Sequence, residues 1–241
     1  MWTAILAEMI KLRRSLVLLP FLGAPACVIA FAALFLTLGG GVMPWHVFLQ
    51  EGLVTWAYFL LPLTLAAISV LLAQMEHGQG MWNHLLVLPL PRWQIFAAKA
   101  AVMALLLVAM QALVFGALIL TGLALENLVP GVDVTGPIIA DELGLAMAAM
   151  SIASLGSLIL QLWAALRFRS FVPPLLVGIV GTFCGLVITA SRKAIYFPWL
   201  LQIYALDWPD TQAQMAVLVG LGFGVIFGIA MLYDLSRRQY S

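Results

Sequence analysis

The sequence predicts an all-α polytopic membrane protein with six transmembrane helices. Of its 241 residues, 64% are hydrophobic and 9% are charged, whereas a soluble domain carries roughly 25% charged residues. The apolar residues come in runs of about 20, the length of a helix that crosses the hydrocarbon core of a bilayer. A helix suits that environment because it satisfies its backbone N–H and C=O groups internally.

Six apolar runs are long enough to be spans. They cover residues 16–38, 53–73, 97–123, 142–166, 171–190 and 213–233. No gap between them is long enough for a soluble domain, so residues 1–241 are expected to form a single transmembrane domain. A cleaved signal peptide is disfavoured, because the first apolar run continues past a normal signal core.

The positions of Lys and Arg orient these spans, because both residues are retained on the cytoplasmic side. Nine of the 11 lie before span one, in or near alternate gaps, or after span six: Lys11, Arg13, Arg14, Arg92, Lys99, Arg167, Arg169, Arg237 and Arg238. This distribution predicts a multi-pass protein with both termini in the cytoplasm. Arg192 and Lys193 fall on the other side and break the rule.

The first segment outside the spans, residues 1–15, has apolar residues at helical spacing: Trp2, Ile5, Leu6, Met9 and Ile10. Thr3, Glu8 and Lys11 take other faces. This pattern predicts an amphipathic helix in the cytoplasmic interface, in contact with the lipid bilayer. The alternative is an ordinary basic flank of span one.

The second segment is the predicted cytoplasmic loop, residues 76–92. Glycines at 78 and 80 interrupt the chain, and a two-turn helix between them and Pro89 would carry an apolar stripe of Met81, Trp82, Leu85 and Leu86. Such a stripe needs a partner. The membrane surface, the ends of the spans and a groove on another protein all remain open.

The third segment, residues 191–212, lies in the predicted outer gap between spans five and six. It is rich in aromatic residues and is interrupted by Pro198 and Pro209. It is too apolar for a solvated loop and too broken for a full span. A short interfacial or re-entrant helix fits this composition.

Within the spans, polar groups are neutral, and hydrogen bonding between helices is their default role. Gln111 and Gln161 are the best placed of them to line a translocation path. Small residues recur at every fourth position in spans five and six: Gly181, Gly185, Gly220, Gly224 and Gly228. These rows predict close helix packing, either within the chain or, alternatively, in a dimer seam.

Several kinds of chemistry are missing from the sequence. It has no Gly-x-x-x-x-Gly-Lys-Ser/Thr motif for ATP phosphates and no His-Glu-x-x-His metal motif. The three histidines share no acidic ligands, and the formal charge of +1 offers no basic patch for nucleic acid. No catalytic residue, metal or cofactor is therefore expected in this chain.

The chain resembles the membrane subunit of ABC-2-type exporters, most of all the small permeases of the lantibiotic-immunity and bacitracin-resistance group. Two motifs carry the resemblance: Glu8-Met-Ile-Lys-Leu-Arg-Arg-Ser15 before span one, and the pattern of Glu, Gly, aromatic, Leu-x-x-x-Pro, Arg and Lys from Glu76 to Lys99. The aromatic outer gap is similar to the place where this family has short outer helices.

The resemblance implies a permease in the bacterial plasma (inner) membrane, driven by a separate ABC ATPase dimer that holds ATP and Mg²⁺. It implies that a second permease copy or a sister permease completes the path, and that a hydrophobic or amphipathic substrate, such as an antimicrobial peptide, a lantibiotic or a drug, is exported. The coupling contact with the ATPase would be made by Glu76, Gly80, Met81, Trp82, Leu85, Leu86 and Arg92. The alternative function is a non-transporting membrane scaffold or sensor partner.

Overall fold

The computed structural model describes residues 1–13, 15–39, 41–77, 91–138 and 140–238. Most of this part of the chain is helical. The helices are α1 (Trp2–Leu12), α2 (Leu18–Leu38), α3 (Trp45–Thr55), α4 (Leu61–His77), α5 (Arg92–Leu128), α6 (Ala140–Ala153), α7 (Leu155–Arg167), α8 (Val172–Ile188), α9 (Leu201–Tyr204) and α10 (Thr211–Arg237).

Five stretches of helix in the described residues are long and apolar enough to cross a membrane: Leu18–Leu38, Trp45–His77, Arg92–Leu128, Ala140–Arg167 and Thr211–Arg237. The chain is therefore a multi-pass membrane protein in which α helices carry the spans. The predicted fifth span, residues 171–190, is the shorter helix α8. Its 17 residues extend about 25 Å at 1.5 Å per residue, less than the ~30 Å of a hydrocarbon core. Six spans, and the orientation of the termini, stay predictions.

The second span is longer than the sequence predicts, because its helix begins at Trp45 rather than at residue 53. Pro44 precedes it in an extended conformation, and the helix can start there without losing a backbone hydrogen bond. A π-turn, Trp56–Leu60, joins α3 to α4. Such turns widen a helix by one residue and leave backbone groups without their usual partners.

Two contacts stabilise the π-turn. The Trp56 indole Nε1 donates to Gln111 Oε1 of α5 at 2.7 Å, and both side chains are buried. Gln202 Nε2 of α9 donates to the Ala57 carbonyl at 3.2 Å and to the Trp199 carbonyl at 2.6 Å. The π-turn is thus held by one bond to a side chain, at Trp56, and one bond to its backbone, at Ala57.

The segment 191–212 forms the 3₁₀ turn Ala194–Tyr196, helix α9 and the 3₁₀ turn Ala205–Asp207. Leu201, Gln202 and Ala205 are buried, and the contact with Ala57 places the segment level with the start of the predicted second span. This segment is therefore packed into the bundle and is not a solvated loop. Its depth in a bilayer, interfacial or re-entrant, stays a prediction.

A short parallel strand pair joins two connections at the same end of the bundle. Strand β1 (Val42–Pro44) pairs with β2 (Asp133–Thr135) in the register Val42–Asp133. Gly41 precedes β1 with φ +78°, and a Cβ there would collide with the Gly131 carbonyl oxygen. Only glycine tolerates both the backbone angle and this close approach.

Candidate functional site: a buried charge network

Four charged side chains meet at the end of the bundle that is predicted to face the cytoplasm. Lys11 Nζ lies 2.9 Å from Glu8 Oε1 and 2.8 Å from Glu76 Oε1. Lys99 Nζ lies 2.8 Å from Glu8 Oε2 and 2.9 Å from Glu76 Oε1. Each lysine therefore bridges both glutamates, and we call these four residues the buried charge network.

Three helices supply the network. Glu8 and Lys11 come from α1, one turn apart on the same face. Glu76 lies in the last turn of α4, and Lys99 lies two turns inside α5. Phe96 and Met103, on the same side of α5 as Lys99, are both fully buried. Lys99 therefore lies on the buried, largely apolar side of α5.

Its members are removed from solvent. Glu76 is 0% exposed, Lys99 1% and Glu8 5%, while Lys11 is half-buried. A single charge in such a place would be strongly unfavourable, since it loses its hydration. Two positive and two negative groups within hydrogen-bond distance offset this loss, and breaking such a pair usually costs about 3–5 kcal/mol.

Lys11 shows the electrostatic effect of the network. Burial opposes the charge of its ammonium group, but the hydrogen bond to Glu76 and the negative charge of Glu8 outweigh that effect. The pKa of Lys11 is therefore raised above its ordinary value. The ammonium form is the one present at physiological pH, which keeps the four charges balanced.

The network keeps a free acceptor. Glu76 Oε1 accepts hydrogen bonds from both lysines, whereas Glu76 Oε2 has no hydrogen-bond partner among the described residues. Glu76 comes just before residues 78–90, which lie outside the described part of the chain. An additional donor could therefore bind the carboxylate without displacing either lysine.

The residues predicted to make the coupling contact with the ATPase fall into two groups. Gly80, Met81, Trp82, Leu85 and Leu86 lie outside the described residues. Glu76 belongs to the network, and Arg92, exposed at the start of α5, donates from Nη1 to the Arg238 carbonyl at 3.2 Å. The two flanks of the loop are thus attached to different elements: Glu76 to α1 and α5, and Arg92 to the residue that follows α10.

A second polar cluster lies at the same end. Trp163 Nε1 of α7 donates to Asp234 Oδ2 of α10 at 2.9 Å, and Arg167 Nε lies 3.4 Å from the same oxygen. Gln74 Nε2 of α4 donates to the Arg169 carbonyl at 3.0 Å. These contacts join α7 to α10, and α4 to the connection that follows α7.

The segment predicted as an interfacial helix is helical over Trp2–Leu12, and its place at the membrane interface stays a prediction. Trp2 and Ile10 are 72% and 73% exposed, and Leu6 and Met9 lie on the same outward side. Ile5 turns partly towards the protein, and Glu8, predicted on a face other than the apolar one, is buried beside Lys99 of α5. Charge pairing explains this burial, because both lysines bind the Glu8 carboxylate.

Gln111 and Gln161, predicted as path-lining residues, are buried inside the single chain. Gln111 accepts from Trp56, and Gln161 Nε2 donates to the Pro174 carbonyl of α8 at 2.6 Å. Gln111 Nε2 and Gln161 Oε1 have no partner among the described residues. In this conformation both side chains connect helices, and a place on a translocation path stays a prediction.

Most of the small residues singled out in the sequence pack within the chain. A Cβ at Gly220 would lie 2.5 Å from Ala153 Cα, and one at Gly224 would lie 2.9 Å from Leu155 Cβ. Gly181 lies against Trp199, and Gly185 against Leu200. Gly228 has nothing within 4 Å of its Cβ position in the described chain and so contributes to no packing there.

Two features of this site were missed at the level of sequence. The pairing of Glu8 with Lys99 was not predicted, although a lysine beside an apolar span is a signal that a carboxylate must lie nearby. The π-turn at Trp56 was not predicted either, and no pattern in residues 56–60 indicates it. Both depend on contacts between distant parts of the chain.

The arrangement defines a class of protein, a helical multi-pass membrane protein. Its described residues form no catalytic constellation, and its buried charged groups join the N-terminal helix to the bundle. Comparison of the sequence with models of protein families gives the same class and identifies the family. The model of the ABC-2 family transporter proteins matches residues 4–185, which is more than half of the chain and includes all four network residues. The chain belongs to this family, whose members are membrane transport components and act with an ABC ATPase. No curated protein and no solved structure matches the chain.

Proposed function

We propose that this chain is the membrane-spanning permease subunit of an ATP-driven exporter and that a separate ATPase dimer, holding ATP and Mg²⁺, docks on the loop 76–92. Family membership supports the role of a transport component. The observation that carries the coupling proposal is the buried charge network, because it joins the helix that leads into this loop, the helix that leaves it and the N-terminal helix.

The network explains how movement of the loop would be transmitted. Glu76 lies two positions before residue 78, and Lys99 follows residues 78–90 two turns into α5. Both bind charged groups of α1, so a displacement of one flank must either move all three helices or break buried ion pairs. Because breaking them is costly, the three helices are expected to move together when the ATPase closes.

The assembly that follows contains two permeases, identical or paired with a sister permease, and two ATPase subunits, in the bacterial plasma (inner) membrane with both termini cytoplasmic. The substrate is a hydrophobic or amphipathic molecule, for instance an antimicrobial peptide, a lantibiotic or a drug. The polar groups near the middle of the described spans, such as Thr64, Gln111 and Ser157, are neutral, and they support this choice, since a cargo with charges all along its length would need charged partners at that depth.

The first test is affinity purification of the protein from its host in mild detergent, with mass spectrometry of the proteins that accompany it. A stoichiometric ATPase with a phosphate-binding loop is expected. Its reproducible absence from an intact, folded preparation would contradict the proposal and favour the scaffold function.

The second test addresses the loop itself. Replacing Trp82 and Leu85 together with Asp should abolish substrate-dependent ATP turnover of the reconstituted complex without removing the protein from the membrane. A matched control is Leu128→Asp, which changes an exposed apolar residue at the opposite end of the bundle and should leave turnover intact. Unchanged turnover in the double variant would overturn the coupling role of residues 76–92.

A further inference from the structure

A groove of about 720 Å³ opens between α2 and the helix formed by α3 and the π-turn. Its walls are mainly aromatic and aliphatic, with Phe31 and Phe35 from α2 and Phe59 and Leu60 from the π-turn. Its volume is within the range of pockets that take drug-sized ligands, about 300–1,000 Å³. The groove therefore has the size and the apolar lining of a binding site for a small ligand.

One carboxylate interrupts this apolar lining. Among the described residues that line the groove, Glu51 alone is charged. Its side chain is exposed and forms no ion pair with any described residue. Thr55, the other polar side chain in the described lining, already donates to the Glu51 backbone carbonyl at 2.9 Å. A cation from outside the chain could therefore bind the carboxylate directly.

The position of the Glu51 carboxylate in the groove determines where the polar and the apolar parts of a ligand would lie. Glu51 lies near the predicted outer end of the second span, close to Leu38 and Gly39 at the end of α2. The phenylalanines and Leu60 extend from there towards the centre of the predicted bilayer. The groove thus offers a negative group at the level of the lipid headgroups and an apolar channel at the level of the acyl chains.

We propose that this groove binds a single-chain cationic amphiphile from the outer leaflet, with its ammonium group on Glu51 and its hydrocarbon chain between α2 and the π-turn. Charge complementarity selects this ligand over an anionic or neutral one. A hydrogen bond between an ammonium and a carboxylate is roughly twice as strong as a bond between neutral groups. The proposal deepens the proposed function, since it specifies the charge of the amphipathic substrate class.

The experiment uses two fluorescent probes with the same chain, 11-(dansylamino)undecylamine and 11-(dansylamino)undecanoic acid. Their binding to the purified full-length protein is measured in nanodiscs of zwitterionic lipid at pH 7, with empty nanodiscs subtracted. The protein should bind the ammonium probe about tenfold more tightly than the carboxylate probe. Glu51→Gln should remove this preference, because it weakens the binding of the ammonium probe and removes the repulsion of the carboxylate probe.

Two further variants make the result specific. Glu126→Gln removes another exposed carboxylate, at the end of α5 and outside the groove lining, and should leave both affinities unchanged. Leu34→Trp narrows the groove from its exposed side and should weaken both probes. Equal binding of the two probes by the unmodified protein, or an unchanged preference in Glu51→Gln, would overturn the proposal.

A shift of oligomeric state in Leu34→Trp with unchanged probe binding would also overturn it, because a second copy of the chain would then be the occupant. None of these measurements requires the ATPase. A failure here would therefore leave the proposed coupling through residues 76–92 standing, and a failure of that coupling would leave this test valid.

Discussion

Lys99 Nζ lies 2.8 Å from Glu8 Oε2, although 91 positions separate the two residues in the chain. The contact attaches the N-terminal helix to α5, and the same ammonium group reaches Glu76 of α4. The two motifs that resemble the family opening and the family loop thus meet at one buried site. Under the proposed function, this meeting point would transmit movement of the loop to the spans.

The ion pairs of the buried charge network predict how strongly substitutions of Glu8 and Lys99 destabilise the protein, alone and together. Lys99→Met leaves Glu8 and Glu76 with Lys11 as their sole partner in the network, and Glu8→Gln leaves two lysines with one glutamate. Each variant should lose about 3–5 kcal/mol of stability. The double variant, Lys99→Met with Glu8→Gln, keeps the balanced pair of Lys11 and Glu76. Its loss of stability should therefore be smaller than the sum of the two single losses by about 0.5–3 kcal/mol.

Thermal unfolding in detergent, followed by circular dichroism, measures these losses as shifts in Tm. Lys193→Met removes an exposed lysine at the opposite end of the bundle and serves as the control, with little change expected. Strict additivity of the two single variants would show that Glu8 and Lys99 do not act as a pair.

Composition and charge predict the class and most of the helices, because the bilayer restricts spans to long apolar runs. The start of the second span at Trp45 was missed, since His46, Gln50 and Glu51 lower the hydropathy of its first turns. Packing of this stretch against Leu118 and Gly122 of α5 extends the helix beyond the apolar run. The local sequence around Trp45 does not indicate this contact with α5.

The network was only partly predictable for a similar reason. Periodicity assigns residues to faces of one helix, and it placed Glu8 away from the apolar face of α1. It does not reveal which neighbouring element covers that face. The need of Lys99 for a buried partner could have suggested a carboxylate, but the choice of Glu8 and Glu76 depends on how three helices meet.

Close packing of α10 on the break between α6 and α7 predicts a contrast between two glycines. A Cβ at Gly220 would lie 2.5 Å from Ala153 Cα and 2.7 Å from its carbonyl carbon, which are backbone atoms. Gly220→Ala should therefore separate the helices and lower the Tm in detergent clearly. Gly228→Ala, where the described chain leaves the space open, should be neutral or slightly stabilising, because alanine favours helix. Equal effects would contradict the packing of α10.

The buried bond between Trp56 and Gln111 predicts the consequence of removing the acceptor. Gln111→Ala leaves the Trp56 indole N–H without its partner in the core, which should cost about 1–3 kcal/mol. Trp56→Phe combined with Gln111→Leu removes donor and acceptor together and should be milder than Gln111→Ala in the same unfolding assay. If Gln111→Ala instead kept full stability and altered the substrate dependence of ATP turnover, Gln111 would be a path-lining residue.

The orientation of α1 predicts which of its faces touches lipid. Trp2, Leu6, Met9 and Ile10 point outward from the protein, and apolar residues on one face of a peripheral helix insert into the headgroup region. An environment-sensitive label at Met9→Cys, in a background with Cys27→Ser and Cys184→Ser, should be quenched by spin-labelled lipids. The same label at Ala7→Cys, also exposed but between the outward and the buried faces, should be quenched far less. Equal quenching at both positions would mean that α1 does not rest on the membrane by this face, and the network would then hold it clear of the lipid.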